Sequence, residues 1–143
     1  MALGRRELLI LGGGVICARA IGCGTDTIVL DAVIPAGLST DVQLNTLNVV
    51  SGKHVALGRD ANGLYAMTLV CTHSGCDISE NGGSVTFTRL HCGCHGSEFN
   101  GQGQVQIGPA TAPLSHLLVT KDASNQLTIH GDSVVPATDR LAV

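Results

Sequence analysis

Short runs of alternating or mixed apolar and polar positions, separated by turn-forming residues, fill most of the chain beyond its N-terminal stretch. A two-residue period is the pattern of a strand with one buried face. Residues 27–34 and 41–50 carry such runs on either side of a break at Pro35-Ala36-Gly37. Residues 53–58 and 63–70 are joined by Arg59-Asp60-Ala61-Asn62, and Asn62-Gly63 supplies the turn signal of a hairpin. Residues 84–91 read as one strand, with Val85, Phe87 and Arg89 on one face and Thr86, Thr88 and Leu90 on the other. A glycine-rich turn at 100–103 leads into a short strand at 105–107. Residues 114–120 and 126–130 then form a last hairpin around 121–125. Outside the N-terminal stretch no segment has a helical period, so the pattern predicts an antiparallel all-β domain.

Composition changes this picture little. The chain has no Trp, one Tyr, two Phe and nineteen Gly, so its core must come from Val, Ile and Leu on tightly turned strands. Residues 23–143 suffice for one domain and are too few for two. A net charge of −3 gives no support to a nucleic-acid role, which would call for a basic patch.

The chemistry is concentrated in two hexapeptides, Cys71-Thr72-His73-Ser74-Gly75-Cys76 and Cys92-Gly93-Cys94-His95-Gly96-Ser97, each following a strand-like run. They hold four of the six cysteines and two of the six histidines. Such clustering calls for a metal. Each loop can supply one thiolate and one imidazole, which leaves two cysteines over. A tetrahedral Cys2His2 zinc site accepts the same donors, but it leaves that second cysteine pair idle. Gly75, Gly93 and Gly96 sit between or beside the candidate ligands, where positive φ and close backbone approach are expected.

C-T-H-x-G-C followed by C-x-C-H-G-S resembles the signature of Rieske iron–sulfur proteins, over roughly residues 53 to 119. In that family a [2Fe–2S] cluster has two Cys on one iron and two His on the other. The resemblance implies a β-sandwich with two cluster-binding loops. Carried over, it makes Cys71 and Cys92 the ligands of one iron and His73 and His95 those of the other. Cys76 and Cys94 match the cross-loop disulfide of the high-potential, cytochrome bc-type branch, and residues 108–113 match the Pro-rich loop that flanks the cluster. Two imidazoles in place of two thiolates make the cluster less negative, placing it at about −150 to +300 mV. Ser97 matches a serine whose hydroxyl donates to a bridging sulfide. Phe99 stands where high-potential relatives carry a Tyr that donates to a cysteine ligand, so a lower potential of the menaquinol-using type is expected. Ser74 replaces the Leu common at the docking tip. On ferric iron the remaining N–H of His73 and His95 would be acidified, so both would take up protons as the electron arrives.

The N-terminal stretch has the shape of an export leader, with Arg5-Arg6 ahead of an apolar run and small residues after it. Residues 1–22 are expected to be a twin-arginine-like leader and 23–143 the Rieske domain. The run is short for a spanning helix of about 20 residues. Ala20-Ile21-Gly22-Cys23 resembles a lipoprotein box, with Cys23 as the lipidated residue. The expected location is the periplasmic side of a bacterial inner membrane, with a membrane tether. The reading is one-electron transfer with a quinol and cytochrome b on one side and a cytochrome c on the other. A stand-alone exported carrier and a zinc-stapled interaction domain are the alternatives. His54, His91, His116 and His130 have no motif context and are expected to be ordinary strand or surface residues.

Overall fold

The computed structural model describes residues 27–143; the expected leader at residues 1–22 and the candidate lipidation site Cys23 lie outside the described residues. The described chain is built from ten strands and one 3-10 turn: β1 (Ile34–Leu38), the turn Ser39–Asp41, β2 (Thr46–Val50), β3 (Val55–Asp60), β4 (Gly63–Thr68), β5 (Ser84–Val85), β6 (Arg89–His91), β7 (Glu98–Asn100), β8 (Val105–Ile107), β9 (His116–Lys121) and β10 (Gln126–Val135). All pairings are antiparallel, in a six-stranded sheet of order β1-β10-β9-β4-β3-β2 and a four-stranded sheet of order β5-β6-β7-β8. No helix among the described residues is long and apolar enough to cross a membrane.

The larger sheet has an apolar core on each face. Strand side chains alternate, so Tyr65 and Met67 of β4 point to one core while Leu64 and Ala66 point to the other. The first core lies between the sheets. It joins Leu47, Ala56, Tyr65 and Met67 to Leu90, Phe99 and the cysteines Cys71 and Cys92. The second is enclosed by the larger sheet, with Ile34, Val55, Leu57, Leu117, Leu127 and Ile129. Every residue of β4 is therefore buried.

Three local expectations are corrected. The run at 27–34 forms no strand before Ile34, and Val29 is 81% exposed. Pro35-Ala36-Gly37 does not break the chain but lies inside β1. Among the described residues that strand is an edge paired only with β10, and its register shifts between Pro35 and Leu38. An edge and a bulge tolerate a residue without an N–H. The run at 84–91 is a hairpin rather than one strand: β5 pairs with β6, Ser84 opposite His91 and Val85 opposite Leu90. Thr86 closes it, its amide and hydroxyl both donating to the Arg89 carbonyl at 2.9 and 2.7 Å.

The two sheets meet at a polar joint behind the glycine-rich turn. Tyr65 donates its hydroxyl to the Gly101 carbonyl at 3.0 Å, and His116 Nε2 donates to the Gln102 carbonyl at 2.9 Å. His116 is buried and stacked on Tyr65, with ring centroids 5.7 Å apart. Arg140 lies 4.4 Å from the Tyr65 ring centroid and bonds Asp60 Oδ2 at 2.8 Å and Gln102 Oε1 at 2.5 Å. The expectation that His116 is an ordinary strand residue holds for its place on β9 but misses this burial.

His116 Nδ1 has no hydrogen-bond partner among the described residues. Burial holds the imidazole pKa below its ordinary value, and the Arg140 charge adds to the effect although the Gln102 carbonyl opposes it. The unfolded chain therefore binds the proton first as pH falls, from about 6.5. Stability should decline on acidification from there down through the lowered folded pKa. Thermal melts between pH 7.5 and 5 should show His116→Gln losing less stability over this window than the unsubstituted protein.

Candidate metal centre

β4 leads, after Leu69 and Val70, into the first candidate loop, and β6 leads directly into the second. The two loops repeat one backbone turn. The Gly75 amide donates to the Cys71 carbonyl at 2.8 Å, and the Gly96 amide to the Cys92 carbonyl at 2.9 Å. The Cys71 amide donates to the Cys76 carbonyl at 2.8 Å, and the Cys92 amide to the Ser97 carbonyl at 2.9 Å. Gly75 and Gly96 close these turns at φ of 77° and 80°, in the left-handed region that glycine enters without a side-chain clash. Gly93 differs from the expectation, since its φ is not positive. It is needed for close approach, because a Cβ there would lie 2.1 Å from the Asn81 carbonyl oxygen.

Cys71 and Cys92 are buried free thiols lying against each other in the core between the sheets. Burial pushes the Cys92 thiol pKa up, and the hydrogen bond and charge of Cys71 push it the same way. The amides of Cys94 and His95, directed at its sulfur, pull it down. His73 and His95 are exposed at the loop tips, ring edge against ring face, with centroids 4.8 Å apart. Cys76 and Cys94 form a disulfide with Cα atoms 6.6 Å apart. The sulfurs of Cys76, Cys92 and Cys94 lie within 4.8 Å of one another, but two of them are bonded together and only Cys92 offers a thiolate.

The donor set fits an iron–sulfur group. Two adjacent buried thiols are unfavourable as anions by themselves and suit a bound cation, and soft thiolates beside imidazoles are donors for iron–sulfur chemistry. Residues 108–113 pack on both loops. Ser97 is fully buried, and its Oγ accepts the Ala110 amide at 3.0 Å, which leaves the hydroxyl hydrogen free to donate elsewhere. Thr72 donates to the Ala112 carbonyl at 2.6 Å. Phe99, on β7, is fully buried in the same core as Cys71 and Cys92. Ser74 is exposed, its Oγ 3.0 Å from His73 Nδ1.

One feature of the site has no motif in the sequence. Asp77, next to Cys76, is buried and bonds His54 Nδ1 at 2.5 Å, and its other oxygen accepts the amide and hydroxyl of Ser79 at 2.6 and 2.5 Å. Ser79 lies two residues from Asp77, whereas His54 lies 23 positions away, with nothing local to link it to the site.

Residues 32–123 match the family model of the Rieske [2Fe-2S] domain. The cytochrome b6-f complex iron-sulfur subunit 2 of Synechocystis sp. (strain ATCC 27184 / PCC 6803 / Kazusa) is 34% identical over 113 residues, covering 78% of this chain and 60% of that protein. The cytochrome b6-f complex iron-sulfur subunit of Synechococcus sp. (strain JA-3-3Ab) is 31% identical over 114 residues, 80% of this chain and 63% of that one. The chain thus spans less than two thirds of the length of these curated relatives. Among solved structures, one from the complex of reduced oxygenase and oxidized ferredoxin in carbazole 1,9a-dioxygenase aligns with a TM-score of 0.51 at 24% identity. It covers 73% of this chain and 98% of that chain, a likeness of fold.

Cross-linking the two loops constrains the unfolded chain. The separation of 18 residues is close to the fifteen-residue case, for which loop closure contributes about 3 kcal/mol. Replacing both partners (Cys76→Ser with Cys94→Ser) should lower unfolding stability by roughly that amount in denaturant titrations.

Proposed function

The chain belongs to the Rieske [2Fe-2S] domain family, and from that premise we propose that it transfers single electrons as the iron–sulfur subunit of a quinol-oxidising cytochrome bc-type complex. The observation that carries the reading is the pair of buried thiols, Cys71 and Cys92, beneath two exposed imidazoles, His73 and His95, on loops joined by a disulfide. Cys71 and Cys92 would hold one iron, and His73 and His95 the other. When bound, the cluster supplies a one-electron carrier.

The chain's own residues set its environment. The core keeps the cysteine side of the site dry, while the two imidazoles face solvent where a redox partner can reach them. Ser97 is free to donate its hydroxyl toward the site, which favours the reduced state. Phe99 has no hydroxyl to add. The partners proposed are a quinol and cytochrome b on one side and a cytochrome c on the other; the two relatives above are named as cytochrome b6-f subunits. We further propose residues 23–143 as the functional domain, exported by residues 1–22 and tethered to the periplasmic face of a membrane through Cys23.

Ser74 favours a second reading, a stand-alone exported carrier, because it puts a hydroxyl at the tip of the first loop where an apolar docking residue is expected. Co-purification with cytochrome b separates the two.

Electron paramagnetic resonance of the dithionite-reduced protein, with iron and zinc measured on the same sample, should give a rhombic signal of low average g and two irons per chain. A colourless, zinc-containing, silent protein would overturn electron transfer in favour of a zinc-stapled interaction domain. A redox titration of Phe99→Tyr should give a higher potential than the unsubstituted protein, by the hydrogen bond the added hydroxyl donates to a cysteine ligand.

A further inference from the structure

The three loops at the site, residues 71–76, 92–97 and 108–113, contain no Asp, Glu, Lys or Arg. A carboxylate directly follows each of the first two, Asp77 after Cys76 and Glu98 after Ser97, and Asp77 is the one buried carboxylate among the described residues. Its position ties it closely to a proposed iron ligand. The Cys76 carbonyl, which accepts the Cys71 amide at 2.8 Å, belongs to the peptide unit that joins Cys76 to Asp77. Asp77 also bridges to Val70, the residue before Cys71, so the carboxylate stands at the foot of the first loop where its two ends meet.

Three hydrogen bonds converge on this carboxylate. Ser79 gives its amide and hydroxyl to Oδ1, and His54 Nδ1 meets Oδ2. Burial by itself would raise the carboxyl pKa, but the bonds from Ser79 and His54 outweigh it and hold the group below the ordinary carboxylate value, so it is ionised at neutral pH. His54 is held for this contact by its own backbone. It sits at φ 55°, and its carbonyl accepts the Leu69 amide at 2.8 Å. A left-handed histidine costs conformational energy, and here it aims the ring at Asp77.

We infer that the Asp77 carboxylate lowers the reduction potential of the cluster that the two loops would hold, and that His54 offsets part of this effect by donating to it. The inference rests on the proposed electron-transfer reading. Adding an electron beside a fixed negative charge is disfavoured, and a buried charge is screened by salt far less than a surface one. Net charge around an iron–sulfur centre is among the quantities that set its potential. The other carboxylates nearby are weaker candidates. Glu98 is paired with Arg89 through two nitrogens and lies 3.6 Å from His91 Nδ1, and Glu80 is exposed.

The test is a redox titration at pH 8 of three proteins, each with its iron content and paramagnetic resonance spectrum: unsubstituted, Asp77→Asn and His54→Asn. Asp77→Asn keeps the acceptor for the Ser79 amide and removes the charge. His54→Asn suits the left-handed backbone and removes the long reach to Asp77. The potential should rise in Asp77→Asn and fall in His54→Asn, with g values and iron content unchanged. Shifts in the same direction, as a loosened loop would give, or no shift in fully loaded protein, overturn the inference. If Asp77→Asn does not fold, His54→Asn decides alone, and a potential not below that of the unsubstituted protein overturns it. An unsubstituted protein without iron defeats the electron-transfer reading itself, a result distinct from loaded variants that do not shift.

Discussion

The carbonyl of each buried cysteine, Cys71 and Cys92, accepts the amide of the glycine four residues on, and each cysteine amide reaches forward to the carbonyl five residues on. This closed turn buries a thiol at its start and lifts the intervening side chains outward. Built once on the exit of β4 and once on the exit of β6, it yields two thiols facing each other inside and two imidazoles meeting outside. The repeats are not identical in what they display. Histidine is the third residue of the first turn and the fourth of the second, and the disulfide cysteine is the sixth residue of the first and the third of the second. Those offsets let two equivalent turns face one another without setting equal side chains against each other.

Such turns expose backbone polar groups and cannot stand alone. Their support is the core between the sheets, which contains Cys71 and Cys92 among its members, so the apolar packing of Tyr65, Met67, Leu90 and Phe99 continues without interruption into the site. Burial of Leu64 and Ala66 on the opposite face of β4 fixes that strand from behind. The loop at 108–113 completes the enclosure through Ser97 and Thr72. Placement of the thiols is thus a consequence of strand packing, and the disulfide adds a covalent tie at the outer edge.

The site was legible in the sequence because its chemistry is dense and local. Cysteine, histidine and glycine fall at fixed offsets within two hexapeptides, and each offset maps onto one turn of backbone. Strands β3, β4, β9 and β10 were legible because turn signals at residues 59–63 and 121–125 separate apolar runs into two hairpins. The β5–β6 hairpin was not, because its turn at Thr86–Arg89 holds no Gly, Pro, Asn or Asp and is closed by a threonine hydroxyl. β1 was missed for the opposite reason. Pro35 and Gly37 mark a break in isolation, yet an edge strand with a register shift accommodates both.

What no local pattern reveals is pairing across sequence distance. His54 and Asp77 stand 23 positions apart, Gln102 and Arg140 stand 38 apart, and nothing in either neighbourhood names the other. Both pairs brace places where the two sheets or their loops join, and each takes one charged group largely out of water, Asp77 in the first and Arg140 in the second. Burial without a partner would have neutralised or expelled these groups. Each is kept because the fold brings a donor or an opposite charge to it: Ser79 and His54 to Asp77, and Asp60 to Arg140. The charge-free tip and the charged supports behind it are therefore one arrangement, in which the imidazoles remain open to a partner while the fixed charges act from within the protein.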